Sequence, residues 1–280
     1  MLNSKDRVAI YMESNLDSDY GKMGMGVIRY LSNQITCIID SNHVGKSIKS
    51  FINTDRKIPI VESLEIALEK KSTVLVLGIA PSGGKIPKEW NRIIEKALKN
   101  GLSIVNGLHE LLFPRWKDLI KKNKNQWIWD VRMPTFVPDI ATGKASKLKN
   151  KRILFIGTDM AVGKMTAALE IYSFLNKQSK NVGFVATGQI GITLTGNGIP
   201  LDAFKVDHAC GAVEAAVLEN SKKEIVLIEG QGSLLHPGST ATLPLMRGSC
   251  PTHLILCHRA NKKTLRSPKN IKIPDLKEFI

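Results

Sequence analysis

The segment GTDMAVGKMT, residues 157–166, most constrains the fold of this 280-residue chain. It follows the apolar run 153–156 and precedes a helix-like stretch, so a strand leads through a glycine-rich turn into a helix. Exposed backbone N–H groups and a lysine at such a helix N-terminus form an anion site. The segment therefore predicts a phosphate-binding loop (P-loop). The residues expected at the phosphates are Gly157, Thr158, Asp159, Val162, Gly163, Lys164, Met165 and Thr166.

A methionine occupies the position that decides whether such a loop also ligates magnesium. In the usual pattern, GxxxxGK[ST], the hydroxyl after the lysine binds Mg²⁺. Here five residues separate Gly157 from Gly163, and Met165 follows Lys164, so the next hydroxyl belongs to Thr166. The sequence predicts phosphate binding but not Mg²⁺-dependent hydrolysis. If Mg²⁺ does bind, Thr166 and Glu229 are the expected ligands.

A second apolar strand, 225–228, ends in Glu229 and the glycine-rich run GQG. An acid at this place is typical of a Walker B strand, although a carboxylate here can also simply cap a turn. The run ATGQ ends a further strand at Gln189. Because the carboxyl ends of parallel strands line the ligand crevice of an open sheet, we expect Gln189 and Gly230 beside the phosphates.

Both halves of the chain alternate strands with helices, which indicates an α/β protein with parallel sheets. The stretch 134–150 is rich in Pro, Gly and Lys and lacks periodicity, so we interpret it as a linker between domains 1–133 and 151–280. The strands are expected at 8–12, 35–40, 73–78, 102–105, 152–156, 182–186, 225–228 and 252–256. The helices are expected at 27–31, 63–70, 88–100, 163–178 and 201–219.

Glycines in the first half resemble a dinucleotide fingerprint only loosely. The run GKMGMG, 21–26, has the order GxxGxG rather than GxGxxG, so we do not expect NAD as a cofactor. The loop GIAPSGG, 78–84, follows a strand and could cradle an anionic group or form only a tight turn. His109, His236 and His258 lie past predicted strands or in glycine-bounded loops, where histidines act as catalysts or as structural hydrogen-bond partners.

The net charge of +15 is concentrated in two stretches. Residues 85–152 contain 16 Lys/Arg against 6 Asp/Glu, and residues 259–280 contain 7 against 2. A basic surface can bind nucleic acid, but no nucleic-acid motif or interleaved aromatic side chains accompany these lysines. We therefore expect a solvated lysine-rich surface without a specific nucleic-acid partner.

The remaining composition predicts a cytoplasmic protein with small-molecule substrates. The four cysteines are scattered without CxxC spacing, which favours reduced thiols over a zinc site or disulfides. No stretch is long and apolar enough to span a bilayer, so we expect no membrane partner. The polar N-terminus MLNSKDR runs directly into a strand, unlike a signal peptide. We also expect a homo-oligomer.

Motifs along nearly the whole chain resemble one protein family. The P-loop and IEGQG are similar to those of dethiobiotin synthetase. These motifs, together with GKMGMGVIRY, VLGIAPSGGKIPKEW, GLSIVNGLHE, WDVR, FVATGQIGI and EGQGSLLHPG, resemble the family often labelled "NAD-dependent epimerase/dehydratase family protein", long described as a domain of unknown function. The resemblance implies a Rossmann-like N-terminal domain and a C-terminal P-loop domain. Relatives usually continue beyond position 280, so the P-loop domain is expected to be truncated.

A branch of that family, D-glutamate N-acetyltransferase, uses acetyl-CoA in D-amino-acid catabolism. The resemblance therefore implies an N-acetyltransferase acting on a D-glutamate-like amino acid. By position it marks the P-loop, the loop 78–84 and further residues. These are Arg29, Asp40, Ser82, Gly83, Asn106, His109, Asp130, Arg132, Gln189, Glu229, His236 and His258. His208 and Arg247 depart from the family pattern.

The acetyltransferase hypothesis fits a P-loop without its magnesium hydroxyl, because CoA offers phosphates that are not cleaved. We expect Glu229 or His236 as the base, backbone N–H groups at 230–232 as oxyanion donors, and Arg29 and Arg132 for substrate carboxylates. Asp40, Ser82, Gly83, Asn106 and His109 are expected to contact the substrate. Two alternatives remain: an ATP-dependent carboxylate-activating ligase of the dethiobiotin synthetase type, and a non-catalytic nucleotide-binding module.

Overall fold

The computed structural model describes residues 1–121 and 125–278, apart from the side chain of Ser82. The chain divides into two units, each built on its own parallel sheet. The first unit comprises Met1–Met133 and Thr193–Gly196. The second comprises Pro134–Ile192 and Asn197–Ile280.

The first unit contains a six-stranded parallel sheet whose aliphatic strands are buried almost throughout. The strands are β1 (Arg7–Tyr11), β2 (Gln34–Ile39), β3 (Ile60–Val61), β4 (Val74–Leu77), β5 (Ser103–Asn106) and β6 (Ile128–Asp130). They lie in the order β3-β2-β1-β4-β5-β6, which is the order of a Rossmann sheet. The Rossmann-like prediction is therefore confirmed.

Helices connect these strands, as parallel neighbours require. They are α1 (Lys22–Tyr30), α2 (Leu64–Glu69), α3 (Trp90–Lys99) and the short α4 (Phe113–Trp116). The α3 helix buries Trp90, Ile94 and Leu98 in one core with the sheet. Trp90 packs edge-to-face on Tyr11 of β1, with ring centroids 5.3 Å apart.

The run GKMGMG lies within α1 rather than before it, so this helix begins five residues earlier than the predicted range 27–31. Its glycines serve close packing. The N–H of Gly24 donates to the carbonyl of Gly78 at 2.8 Å, and a side chain at Gly24 would overlap with Met12. The run therefore allows α1 to pack closely against the end of β4 and does not form a phosphate-binding turn.

The second unit contains a four-stranded parallel sheet in the order β10-β7-β9-β8. The strands are β7 (Lys151–Gly157), β8 (Val182–Val185), β9 (Ile225–Ile228) and β10 (His253–Cys257), and the helices are α5 (Lys164–Lys177), α7 (Val206–Glu219) and α8 (Thr242–Ser249). A further helix, α6 (Gln189–Thr195), begins in this unit, and its residues from Thr193 onward are grouped with the first unit. Phe155 of β7 faces the core beside α5, whereas Leu154 faces the core beside α7. Within the described chain, none of the helices has both the length and the apolar character to cross a membrane.

Five elements escaped the sequence prediction, and one of them, α4, is a helix of only four residues. The strands β3 and β6 contain only two and three residues, too few for a periodic pattern. The α6 helix lies in a glycine-rich stretch of β-branched residues, which have low helix propensity. The α8 helix contains Pro244 and Gly248, but Pro244 falls in the first turn, where the missing N–H costs little.

The stretch 134–150, predicted as a linker, belongs to the second unit and packs against α7. The carboxylate of Glu214 accepts hydrogen bonds from the N–H groups of Thr142 at 2.9 Å and Ala145 at 3.4 Å. Burial alone would raise the pKa of Glu214, but these N–H groups outweigh burial and leave the pKa below its ordinary value. His208 lies 2.7 Å from the carbonyl of Pro138 and secures the same segment.

We predict that Gly211→Ala destabilises the second unit. Alanine in a helix interior normally stabilises by ~1 kcal/mol relative to glycine. At this position in α7, however, a Cβ would overlap with the carbonyl of Asp139, so the segment must move. Urea unfolding should show a loss of about 1–3 kcal/mol, as for other overpacked sites. The exposed Glu219→Ala change is the control, and a Gly211→Ala protein as stable as its parent would contradict the prediction.

Candidate functional site

Parallel pairing of β7 with β9 places the two predicted motifs at one edge of the sheet. Leu154 of β7 pairs with Ile228 of β9, so the loop after Gly157 and the residues after Ile228 leave the sheet side by side. Glu229 comes directly after β9. The structure thus brings together the P-loop and the acid that the sequence placed on separate strands.

The P-loop bends back so that its lysine enters the loop. Gly163 caps α5 with φ +102°, a conformation that favours glycine, and Lys164 is the first residue of the helix. The Nζ of Lys164 donates to the carbonyl of Asp159 at 3.0 Å. Val162 packs beneath the loop next to Gly157. This arrangement aims a cation and a helix N-terminus at the same point.

Lys164 is a buried cation, with only 6% of the residue exposed. Burial lowers the pKa of its ammonium, and the neighbouring Cys257 and Asp159 act in the opposite direction. Among the described residues, no carboxylate forms an ion pair with Lys164. Burying a charge is costly unless it is paired, so this position favours an anion beside the ammonium.

The side chains of Thr158 and Asp159 hold the loop from outside. The Asp159 carboxylate accepts hydrogen bonds from the N–H groups of Met160 and Arg266, each at 2.7 Å. The hydroxyl of Thr158 lies 3.1 Å from Nδ1 of His258. These contacts give Thr158, Asp159 and His258 a positioning role in the loop.

Glu229 is buried, and its carboxylate accepts hydrogen bonds from the N–H groups of Thr187 at 2.9 Å and Gly188 at 3.2 Å. Burial raises the pKa of Glu229 to about 7, although these two hydrogen bonds act to lower it. Side chains at Gly188 or Gly191 would crowd the carboxyl group. A carboxyl group with this pKa exchanges a proton near neutral pH, which suits general acid–base chemistry.

The run from Gly230 to Ser239 folds onto the P-loop. A Cβ at Gly230 would overlap with the carbonyl of Phe155 and lie 2.9 Å from Cδ of Lys164, so only glycine fits. The N–H of Leu234 donates to the carbonyl of Gly157 at 2.9 Å. The hydroxyl of Ser233 donates to the carbonyl of Thr158 at 3.0 Å. This run is therefore fixed relative to the anion site.

His236 is carried on this run and is partly exposed. The backbone N–H of His236 donates to Ser233 Oγ at 3.1 Å. Its Nδ1 accepts a hydrogen bond from the N–H of Gly238 at 3.0 Å, so the neutral ring carries its proton on Nε2. The backbone thereby selects the tautomer of a predicted catalytic residue.

Three further predicted residues lie at the starts of the helices that follow β7 and β8. Met165 and Thr166 lie in the first turn of α5 and are partly buried, and Gln189 is the first residue of α6. No group of three or more His, Cys, Asp or Glu side chains in the described ranges 1–121 and 125–278 is arranged to hold a metal ion.

Several residues predicted for substrate binding make hydrogen bonds that organise the first unit. Asp40 is fully buried and accepts hydrogen bonds from the N–H groups of Ser14 and Leu16, besides contacting His43 Nδ1 at 2.9 Å. The amide of Asn106 donates to Asp130 Oδ1 at 2.8 Å, and Asp130 also accepts from the N–H groups of Leu112 and Phe113. These side chains hold the loops that follow β1, β2 and β5.

Other predicted residues lie at the carboxyl edge of β4, β5 and β6. A side chain at Gly84 would overlap with the His109 ring, and the N–H of His109 donates to the carbonyl of Gly84 at 3.0 Å. Arg132 Nε donates to the carbonyl of Gly107 at 2.8 Å. Gly83 lies in the same turn with φ +76°, whereas the Ser82 side chain lies outside the described atoms. Arg29 is in the last turn of α1, at the opposite edge of the sheet.

Sequence reasoning missed four contributors to the site in the second unit. Thr187 and Gly188 bind Glu229 through backbone N–H groups, and the glycine-rich run ATGQ was their available signal. Ser233 braces the P-loop, and Arg266 donates to Asp159 from 107 positions away in the chain. Backbone donors and distant contacts leave no residue pattern from which to predict them.

Comparison with known proteins identifies relatives of both units. Residues 41–134 match the family model described as "Domain of unknown function (DUF1611_N) Rossmann-like domain". Residues 139–280 match the one described as "Domain of unknown function (DUF1611_C) P-loop domain". A crystal structure of a DUF1611 family protein from Anabaena variabilis is 45% identical, with a TM-score of 0.94 over 99% of this chain and 81% of that one.

Two curated relatives carry the name D-glutamate N-acetyltransferase. The protein from a Pseudoalteromonas species is 39% identical over 208 residues, which cover 73% of this chain and 62% of the relative. The protein from Tritonibacter scottomollicae is 38% identical over 220 residues, which cover 78% of this chain and 65% of the relative. The chain thus spans slightly less than two thirds of the length of these relatives.

We predict that Glu229→Gln removes a pH-dependent cost to folding. With a folded-state pKa of about 7 against an ordinary 4.5, the folded protein keeps this proton while the unfolded chain loses it. Stability therefore falls as the pH rises between these values, by roughly 3 kcal/mol in all at ~1.4 kcal/mol per unit. Relative to its parent, Glu229→Gln should gain about that much free energy of unfolding between pH 4.5 and 8.

Urea unfolding at a series of pH values measures this difference. Glu219→Gln is the matched control, because Glu219 is an exposed residue of the same unit. If the two variants follow the parent with the same pH dependence, the buried acid does not titrate as described.

Proposed function

The chain belongs to the DUF1611 family, and from that membership we propose that it is an N-acetyltransferase, which transfers the acetyl group of acetyl-CoA to a D-glutamate-like amino acid. The names of its curated relatives support this reaction class. The observation that carries the proposal is the buried Lys164 ammonium at the N-terminus of α5, which has only the Asp159 carbonyl as a described hydrogen-bond partner.

The P-loop suits the phosphates of CoA. The helix N-terminus and Lys164 attract an anion, and a bound pyrophosphate would supply the negative charge that the buried ammonium lacks. CoA phosphates are held but not cleaved, so the reaction needs no magnesium ligand after the lysine. Met165 at that position is compatible with this use.

Acetyl transfer needs a base, because the substrate amine enters mainly as an ammonium ion. The base takes one ammonium proton, and the amine nitrogen then bonds to the thioester carbon. The carbon–sulfur bond breaks to release CoA as a thiolate, and the nitrogen gives its second proton to that thiolate as the amide forms. Glu229, with a pKa of about 7, is our first choice for the base. His236 is the second, and its Nδ1 would have to exchange the N–H of Gly238 for the substrate proton.

Besides the base, acetyl transfer requires hydrogen-bond donors for the oxyanion and cations for the substrate carboxylates. We assign the first to backbone N–H groups at 230–232, because the contacts of Leu234 and Ser233 with the P-loop fix this run. For the second, we keep Arg29 and Arg132, the two arginines that the family resemblance marks for substrate carboxylates.

One observation favours a second candidate, an ATP-dependent carboxylate-activating ligase. Glu229 follows the strand next to the P-loop strand, as the acid of a Walker B strand does. The two reactions release different products. Incubation with acetyl-CoA and a panel of D-amino acids should release free thiol, whereas the ligase would need ATP and Mg²⁺ and would release ADP. Phosphate or ADP release without any thiol release would refute the acetyltransferase proposal.

We predict that Lys164→Ala raises the KM for acetyl-CoA more than it lowers kcat. The phosphates of CoA lie far from the thioester and keep their charge during transfer, so the lysine binds ground and transition states alike. Charged hydrogen bonds contribute ~1.5–3 kcal/mol, which corresponds to a tenfold to hundredfold rise in KM.

Steady-state kinetics at saturating D-amino acid measures both constants. Lys180→Ala removes the same charge from an exposed position after α5 and should leave both constants unchanged. A large fall in kcat with an unchanged KM would indicate that charge moves at the phosphates, and this would favour ATP cleavage.

A further inference from the structure

A basic hairpin touches the P-loop and is not explained by the chemistry above. Residues 263–273 form this C-terminal hairpin, in which Leu265 N–H donates to the Ile271 carbonyl at 3.0 Å and Ile273 N–H to the Lys263 carbonyl at 2.9 Å. Thr264 pairs with Lys272 in an antiparallel bridge. Leu265 is 1% exposed, so the hairpin is anchored by its apolar face.

Asp159 joins the hairpin to the anion site. Its carboxylate accepts the N–H of Arg266 at 2.7 Å, while its carbonyl accepts Nζ of Lys164 at 3.0 Å. One loop residue therefore contacts both the buried lysine and the hairpin backbone.

The charge of this segment has one sign. Between positions 259 and 274 there are six basic residues and no Asp or Glu: Arg259, Lys262, Lys263, Arg266, Lys269 and Lys272. No described carboxylate forms an ion pair with the four lysines of this set. Like charges held this close favour binding of a compact, highly charged anion.

The hairpin geometry gathers part of this charge on one face. Residues two apart in a strand share a face, so Thr264 and Arg266 lie on the face opposite the buried Leu265. Lys272 pairs with Thr264 and lies on that same face, diagonal to Arg266. Lys269 lies in the turn between the two strands, and Arg266, Lys269 and Lys272 are all exposed.

We infer that this face is a second phosphate subsite, which binds the 3′-phosphate of CoA through Arg266, Lys269 and Lys272. The inference rests on the proposed function. In CoA, one ribose separates the 3′-phosphate from the pyrophosphate. A pyrophosphate at Lys164 therefore places the 3′-phosphate one sugar away. A single residue, Asp159, likewise separates Lys164 from the hairpin. The subsite selects CoA over nucleotides and CoA precursors without this phosphate.

Calorimetric titration with CoA and with dephospho-CoA tests the subsite, because the two probes differ only in the 3′-phosphate. The parent should bind CoA at least about tenfold more tightly than dephospho-CoA, the smallest effect expected of one charged contact. In Lys269→Ala/Lys272→Ala, the affinity for CoA should fall to near that for dephospho-CoA, and dephospho-CoA affinity should stay unchanged. The Lys269→Met/Lys272→Met variant keeps apolar side chains of similar length without the charge. Its affinities for the two probes should match those of the double alanine variant.

Lys177→Ala/Lys180→Ala is the control, because it removes the same charge from exposed positions at the end of α5 and beyond. This control variant should still bind CoA more tightly than dephospho-CoA. If it binds both probes equally, the effect comes from net charge, and the inference is overturned. Equal binding of both probes by the parent would overturn the subsite and leave the acetyltransferase proposal standing. A parent that binds neither probe would overturn both.

Discussion

The geometry of the second unit depends on one tight contact, where β9 leaves the sheet beside β7. Gly230 lies so close to the Phe155 carbonyl that no side chain can be added, and the alkyl chain of Lys164 covers the same glycine. This contact keeps the acid after β9 and the lysine after β7 at a fixed separation. A phosphate loop and a buried acid on neighbouring strands follow from parallel pairing, but their close approach requires this glycine.

Burial shifts both charges of the site toward neutrality. It lowers the pKa of Lys164 and raises the pKa of Glu229 to about 7. The protein thus holds two groups whose charged states are costly in the absence of a partner. An anion beside Lys164 would restore the stability of its ammonium. The pKa of Glu229 is set separately, by burial and by the N–H groups of Thr187 and Gly188.

The sequence predicts the regular parts of this structure better than its irregular ones. Long apolar strands and amphipathic helices carry periodic patterns, and the order strand–glycine–lysine–helix marks the P-loop directly. The strand β3 is too short to show a period, and Pro244 hides the start of α8. The roles of Asp40 and Asn106 depend on distant backbone partners, so a family motif marks their positions without revealing that they organise loops.

The same limit applies to the candidate site. Glu229 could be identified from its place after a buried strand, but the pKa of its carboxyl group depends on burial and on two N–H groups from another strand end. Arg266 reaches Asp159 across 107 positions, and only the fold brings them together. Chemistry carried by side-chain type is visible in a sequence, whereas chemistry carried by backbone donors is not.

The close contact between Gly191 and Glu229 has an evolutionary consequence. A Cβ at Gly191 would lie 2.3 Å from a carboxylate oxygen of Glu229, so a side chain there requires the acid to move or to be replaced. A Cβ at Gly188 would first meet the amide of Gln231, so that glycine is tied to a different neighbour. In a related chain, we therefore expect a side chain at position 191 to occur together with a change at position 229.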